Sequence, residues 1–459
     1  MAKKKTDNAH KATNQHGAGM DKIVALCKRR GFVYPSSEIY GGLSATWDYG
    51  PLGVELKRNI QNLWWREMTR RHDNIVGLDA AILMHPRTWE ASGHVDNFSD
   101  PLIDCKDCKA RYRADHLEPE IVASRKCPAC GGEMTQPRNF NLMFTTTLGA
   151  METSGMQLYL RPETAQGIFV NFKNVVDTNR VSIPFGIAQV GKAFRNEITT
   201  RNFIFRTCEF EQMEMQYFVK PGTEDEFFAY WKEERLRWYV EQLGIERDNL
   251  RTEPHGPDAL AHYAKEACDI EYRYPHGWEE MEGIHSRTDY DLSRHGEFCG
   301  KEIQYLDPQT QERYVPYVVE TSSGLTRAVL VTLLDAYREQ PLENGDVRTV
   351  LRFHPNVAPY RVAVLPLMKK DGLVEIATEL KRDLEEDYNV FYDQQGSIGK
   401  RYRRMDEIGT PFCITVDPQT KTDNSVTLRL RDSMEQRRIP LSEVADAIRL
   451  ESRNYQARA

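Results

Sequence analysis

GKAFRNEITTRNFIFRTCEFEQMEMQYF, from Gly191 to Phe218, is the stretch on which the reading of this chain turns. Alternation along it predicts two strands joined by a loop around Thr199 to Asn202. Side chains two apart on a strand point the same way, so Arg195 and Glu197 share a face of the first strand. On the second, Arg206, Phe210 and Glu214 share a face, with Gln212 between them. Guanidinium for phosphate, a ring for a base and carboxylate for an amine make a set that suits a nucleotide. The other face carries Met213, Met215 and Tyr217, which suit a core, and also Glu209 and Glu211, which alternation leaves unexplained. A solvated hairpin with cross-strand salt bridges is the competing reading, and spacing alone favours it.

Three further segments shift that balance. RPETAQGIF, Arg161 to Phe169, sets Arg161 and Glu163 beside a helix start. SRTDYDL, Ser286 to Leu292, packs Arg287, Asp289 and Asp291 together. VVETSSGLTRAVLVTLLDAY, Val318 to Tyr337, runs from an apolar strand through a Ser-Ser-Gly turn into an apolar helix. Gly324 there permits close backbone approach or an unusual turn. Arg327 stands in the first turn of that helix, where a lone arginine is ordinarily a surface residue.

Outside these segments the chain reads as an ordinary multidomain protein. Its 459 residues exceed one hydrophobic core. No apolar run approaches a transmembrane span, and the polar, basic first twenty residues lack the apolar stretch of a signal peptide. They read as a disordered tail, and a cytoplasmic location follows by default. A net charge of −7 argues against coating nucleic acid by global charge but leaves local basic patches open. A helix over Gly53 to Met68 turns Val54, Leu56, Ile60, Leu63 and Trp64 broadly to one side. A second over Glu224 to Leu243 carries Phe227, Trp231, Trp238 and Tyr239 for the core. The less regular stretch after it looks like an insertion. Beyond His354 the pattern changes to strands and helices in alternation, which predicts a small α/β domain.

Nine cysteines in so long a chain do not make a disulfide scaffold. Cys105, Cys108, Cys127 and Cys130 form two CxxC pairs with eighteen residues between them. That spacing predicts a closed, structural zinc ribbon. Reduced, unliganded cysteines are the alternative.

Together these segments resemble the class II aminoacyl-tRNA synthetases, and within them the dimeric glycine-specific family. WDYGPLGVELKRN is similar to the first motif of the class, GKAFRNEI through EFEQMEM to the second, and ETSSGLTRAVL to the third. RPETAQGIF, SRTDYDL and GFVYPSSEIYGG are similar to glycine-type segments. Thr200 and Thr321 stand where the resemblance expects proline.

The resemblance implies an α+β catalytic domain over 21–355, built on an antiparallel sheet, with a zinc-ribbon insertion at 101–140 and another at about 220–275. An anticodon-binding α/β domain follows at 356–459, with Lys400, Arg401, Arg403 and Arg404 on one helix toward RNA. The implied function is ATP-dependent activation of glycine and its transfer to the 3′ end of tRNA(Gly), by a homodimer. Arg195, Glu197 and Arg327 would be catalytic. ATP contacts would come from Arg195, Asn196, Glu197, Phe205, Arg206, Thr207, Cys208, Glu209, Phe210, Glu280, Met281, Gly324, Leu325, Thr326 and Arg327. Glycine contacts would come from Arg111, Arg113, Glu163, Phe210, Glu211, Gln212, Met213, Glu214, Arg287, Glu320, Thr321, Ser322, Ser323 and Gly324. Magnesium would sit on Glu197, Glu209 or Glu320. A non-catalytic RNA-binding relative and a synthetase for another amino acid are the rival readings. The first would lack Arg195, Glu197 or Arg327, all of which are present.

Overall fold

The computed structural model describes residues 19–149, 155–198, 202–261, 263–343 and 345–455. The expected N-terminal tail and most of the loop at Thr199, Thr200 and Arg201 lie outside them. The chain divides into two compact units.

The larger unit, Gly31–Tyr272 with Glu279–Leu330, is built on a seven-stranded sheet. Its strands in chain order are β1 (Ile75–Gly77), β2 (Phe185–Phe194), β3 (Glu209–Val219), β4 (Leu250–Pro254), β5 (Glu266–Tyr274), β6 (Gly277–Thr288) and β7 (Tyr317–Gly324). Across the sheet they run β4-β5-β6-β7-β3-β2-β1. The β2–β3, β3–β7, β6–β7 and β4–β5 pairs are antiparallel, and only short β1 adds in parallel, to β2. Helix α1 (Pro51–Arg71) buries Leu56, Ile60, Leu63 and Trp64 as its spacing predicts, and leaves Val54 half-buried. Helix α2 (Ala165–Asn179) packs Ile168, Phe169 and Phe172 against Phe185, Phe218 and Val318.

Helix α3 (Glu224–Glu241) buries Trp231, Trp238 and Tyr239. Tyr239 hydrogen-bonds Ser323 Oγ at 2.6 Å, and Arg235 ion-pairs with Glu282 at 2.7 Å. The segment expected as an insertion at about 220–275 covers this helix and strands β4 and β5. Helix α3 anchors on the central sheet, and β4 and β5 are strands of it. The signal in β5 was alternation: Cys268, Ile270, Tyr272 and Tyr274 are buried while Asp269, Glu271 and Arg273 are less so.

The cysteine segment forms its own small sheet of Ser99–Asp104, Arg111–Arg113 and Arg138–Asn141, close to the expected 101–140. Ile103, Cys105, Cys127 and Met134 make its miniature core.

The second unit comprises Met1–Arg30, Arg273–Trp278 and Val331–Ala459. Its five-stranded sheet holds β8 (Val362–Pro366), β9 (Val390–Tyr392), β10 (Phe412–Val416), β11 (Ser425–Leu430) and β12 (Gln436–Pro440), in the order β9-β8-β10-β11-β12. Strand β8 pairs in parallel with β9 and β10, and the rest are antiparallel. Helices α4 (Leu373–Glu385), α5 (Ile398–Ile408) and α6 (Val444–Arg453) accompany them. Strand β12 was not foreseen. The expected boundary near 356 falls inside this unit. Residues upstream of it are tied in by charge: Arg348 to Asp406 at 2.8 Å, and both Arg29 and Arg30 to Glu407.

Helix α5 corrects the expected basic face. Arg401 is 1% exposed and donates to the carbonyls of Pro366, Asp393 and Leu367. Arg404 pairs with Asp393 at 2.7 Å. Lys400 and Arg403 remain exposed, with Arg403 near Asp346 at 3.3 Å.

Candidate active site

A pocket with about 910 Å³ of space, part of it open to solvent, lies over strands β3, β6 and β7. The register explains its floor. Gln212 stands opposite Gly324, Glu214 opposite Ser322, Gly283 opposite Ser322, and His285 opposite Glu320. Alternate residues of each strand thus point into one space: Phe210, Gln212 and Glu214; Gly283 and His285; Glu320, Ser322 and Gly324. A Cβ on Gly283 would lie 2.6 Å from the His285 ring, so glycine there gives that ring its room.

The outer end is rich in guanidinium. Arg195, Arg206 and Arg327 line it with Glu197, Phe205, Thr207, Glu280 and Thr326. Strand β2 stops at Phe194, so Arg195 and Glu197 are not neighbours on a strand face as expected. The backbone N–H of Arg195 instead donates to Cys208 at 2.9 Å, and that of Asn196 to Leu142 at 2.7 Å. Arg195 Nε donates to Pro162 at 3.0 Å, and its guanidinium packs 5.3 Å from the Phe98 and Phe210 ring centres. Arg206 is 3.7 Å from Glu197. Arg327 lies 4.7 Å from the Phe205 ring and 3.2 Å from Glu280, whose carboxyl it holds below its ordinary range.

The inner end is acidic and buried. Glu163, Glu214 and Glu320 converge there with Tyr263 and Ser322. Burial opposes the charge on Glu163, but His94, at 3.4 Å, and Arg287 outweigh it and hold this carboxyl well below the carboxylate range. Glu320 is held at about 2 against the same penalty, by Arg287 at 2.8 Å and His285 at 3.1 Å. Burial works against a charged His285, but Glu320 outweighs it and raises that ring.

Glu214 differs from both. Thr164 Oγ1 donates to one of its oxygens and Gln216, at 3.0 Å, to the other. Among the described residues no cation stands at ion-pair distance from it. Burial, with repulsion from Glu320 and Glu163, pushes its carboxyl well above the usual range. Arg287 is spent elsewhere: it grips Asp291 at 2.7 and 2.9 Å and lies 3.8 Å from the Tyr263 ring centre.

Several expected contacts do not line this pocket. Met213, Met281, Leu325, Thr321 and Ser323 are buried in the sheet and the helix behind it. Glu209 pairs with Lys192 and Glu211 with Lys57, which explains the two glutamates on the wrong face of β3. Asn196 and Cys208 act through the loop backbone, Cys208 Sγ facing the Glu197 carbonyl at 3.7 Å. Arg111 belongs to Asp104 at 2.5 Å. Arg113 is shared by Asp100 and Asp115 at 3.1 and 2.7 Å, and Glu197 adds to the charges that favour its protonated form. His94, Thr164, Tyr263, Gly283 and His285 were missed. The quoted segment SRTDYDL began one residue after His285.

The four ribbon thiols lie within 4.8 Å of one another, with Cys105–Cys130 at 3.6 Å and Cys108–Cys127 at 3.7 Å. Tetrahedral zinc with bonds of ~2.3 Å requires thiolates ~3.8 Å apart. The donor set therefore fits that ion. Gly132 serves the second knuckle, since a Cβ there would strike the Asp107 carboxylate at 2.1 Å.

Residues 144–336 match the model of the tRNA synthetase class II core domain (G, H, P, S and T), and residues 361–451 that of the anticodon binding domain. Solved prolyl-tRNA synthetase from Cryptosporidium parvum shares the fold, with TM-score 0.65 at 16% identity over 95% of this chain and 76% of that one. Fold and pocket together are those of a class II aminoacyl-tRNA synthetase.

The chain is 63% identical to the glycine--tRNA ligase of Treponema denticola, over 96% of this chain and 98% of that one. It is 58% identical to that of Borreliella burgdorferi, over 95% and 98%. It belongs to the glycine--tRNA ligase family.

Proposed function

We propose that the pocket holds glycine at its acidic end and ATP at its arginine end, and that their junction lies at Arg195. The family reaction, ATP-dependent ligation of glycine to tRNA, is the reaction of this chain. A glycine carboxylate oxygen attacks the α-phosphorus and pyrophosphate leaves. The terminal adenosine hydroxyl of tRNA then attacks the carbonyl carbon of the adenylate and AMP leaves. Neither step needs a protein nucleophile, so positioning and charge stabilisation carry the catalysis.

The observation that carries this reading is Glu214, a buried carboxyl beside two ionised ones and, among the described residues, without a cation at ion-pair distance. An ammonium group supplies the missing charge. Glu163 and Glu320 add to its field, and Ser322 offers an acceptor. Tyr263, His285 and Gln212 line the same end and would limit the side chain it admits. At the other end Arg195 would bridge the carboxylate and α-phosphate, Arg206 and Arg327 would take the outer phosphates, and Phe210 would stack on the base. Of the carboxylates suggested for magnesium, Glu209 and Glu320 already have cationic partners close by. Glu197 lines the pocket beside the more distant Arg206 and would hold the ion that neutralises the phosphates.

Amino-acid-dependent ATP–pyrophosphate exchange tests the assignment. Glycine should support exchange and alanine, serine and proline should not. Glu163→Gln should raise the glycine KM at least tenfold, by loss of a charged contact of about 1.5–3 kcal/mol, with ATP binding little changed. Equal glycine-dependent exchange in variant and parent would sink the assignment.

Two assemblies accompany this reading. The four thiolates would hold a structural zinc ion; reduced protein should carry about one zinc per chain, and none would reject the site. A second copy would cover the face around Glu38–Tyr40, where Ile39, Tyr40 and Leu43 are 87%, 88% and 63% exposed. Exposed apolar side chains so close in sequence fit a homodimer contact. Sedimentation should give twice the chain mass, shifting toward the monomer for Ile39→Asp. We further assign the unit with β8–β12 to the anticodon, through exposed Lys400 and Arg403 rather than buried Arg401.

A further inference from the structure

The short helix His94–Asn97 and Phe98 after it stand behind the pocket and line none of it. They nevertheless reach both of its ends. His94 Nε2 lies 3.4 Å from Glu163 Oε2, while Glu163 Oε1 accepts from Gln166 at 3.0 Å. The His94 ring is itself fixed, with Nδ1 2.8 Å from Ser92 Oγ and the Trp89 ring edge-on at 5.6 Å. One turn on, Phe98 sets its ring 5.3 Å from the Arg195 guanidinium and 5.4 Å from the His94 ring. A backbone route runs in parallel. Leu142 N–H donates to Phe98 at 3.0 Å, and Asn196 N–H, next to Arg195, donates to Leu142 at 2.7 Å. Asn141 Nδ2 closes the helix down by donating to Val95 at 3.1 Å.

The chemistry of each contact suits its target. A ring beside a guanidinium limits its orientation and takes none of its N–H groups. Arg195 keeps its Nε on Pro162, and its terminal nitrogens have no hydrogen-bond partner among the described residues. They remain for phosphate and carboxylate oxygens. An imidazole N–H at one carboxylate oxygen, with an amide at the other, fixes the plane of Glu163.

We propose that His94 and Phe98 are positioning residues: His94 orients Glu163 for the glycine ammonium and Phe98 orients Arg195 for the α-phosphate, through one helical turn that sets the two a fixed distance apart. This rests on the assignment of Glu163 to glycine and Arg195 to phosphate. One consequence is structural. Phe98 leads directly into Ser99–Asp104, the first ribbon strand, so the cysteine ribbon and the His94–Phe98 turn are one continuous piece of chain.

The test is pyrophosphate exchange by the full-length protein, with glycine and ATP varied separately. His94→Leu should raise the glycine KM about tenfold with the ATP KM within about twofold, and His94→Gln, which keeps a donor, should recover most of it. Phe98→Leu should lower kcat about tenfold with the glycine KM within about twofold, and Phe98→Tyr should restore it. Phe98→Met keeps volume without the ring and replaces Phe98→Leu if that variant does not fold. Parental constants in His94→Leu and in the Phe98 variant lacking the ring, or equal losses in all variants without rescue by Gln or Tyr, overturn the proposal. Glu163→Gln, run alongside, separates the two levels. If its glycine KM is raised while His94→Leu is parental, only the positioning role falls. If Glu163→Gln is itself parental, the glycine assignment and this proposal fall together.

Discussion

Asp406 and Glu214 are both carboxyl groups sealed from solvent, 1% and 2% exposed, and the chain treats them in opposite ways. Asp406, in the unit carrying β8–β12, receives Arg348 at 2.8 Å and Arg429 at 2.8 and 2.9 Å. Its charge is balanced from within the fold. Glu214, on β3, receives a hydroxyl and an amide and stands beside two more carboxylates. Among the described residues it has no cation at ion-pair distance, and its carboxyl is raised instead. A buried carboxyl with its arginines is structure, whereas one without a cation stays neutral until, on the function proposed above, a cationic ligand arrives.

Substitution should separate the two. The larger effect on the fold belongs to Asp406→Asn, which leaves two buried guanidiniums facing an amide. It should cost about 3–5 kcal/mol in thermal or denaturant unfolding of the unit that holds it. Glu214→Gln breaks no ion pair and should change stability by less than about 1 kcal/mol. It should instead raise the glycine KM by a factor of ten or more. A Glu214→Gln protein as unstable as Asp406→Asn, with glycine KM unchanged, would erase the distinction.

What the sequence disclosed follows the same division. The parity of Phe210, Gln212 and Glu214 on β3 was readable, because strand period is local and the opposite face carries methionines. The ribbon was readable from cysteine spacing, and the C-terminal α/β unit from alternation, apart from β12. The end of β2 at Phe194 was not readable. It depends on Asn196 bonding Leu142, some fifty residues earlier, where no periodicity in GKAFRNEI reports it. His94, Tyr263 and His285 were invisible for a related reason. His94 and Tyr263 are lone rings in segments that carry no other signal, brought to the carboxylates only by the fold, and His285 lies one residue before SRTDYDL. Arg401 reads like its neighbours Lys400 and Arg403, and only the carbonyls of Pro366, Leu367 and Asp393 show it to be buried. Glu214 could be placed in the pocket from sequence, but its missing cation could not. That required the positions of Arg287, which holds Asp291 and Glu320, and of Arg161, which donates to the carbonyls of Lys192 and Ala80.

Glu214 also sets the sign of a pH effect. Burial and the neighbouring carboxylates raise its carboxyl in the free pocket, while Glu163 and Glu320 are held down, so of the three it keeps its proton to the highest pH. An ammonium at its side favours the ionised form and expels that proton. Glycine binding should therefore tighten as pH rises through the range where free Glu214 titrates. The most direct measurement is calorimetry of a non-hydrolysable glycyl-adenylate analogue across the pH range where free Glu214 titrates, in buffers of different ionisation enthalpy. The parent should release up to about one proton on binding and Glu214→Gln about none. No release by the parent, or equal release by both, would contradict the assignment of Glu214 to the glycine ammonium.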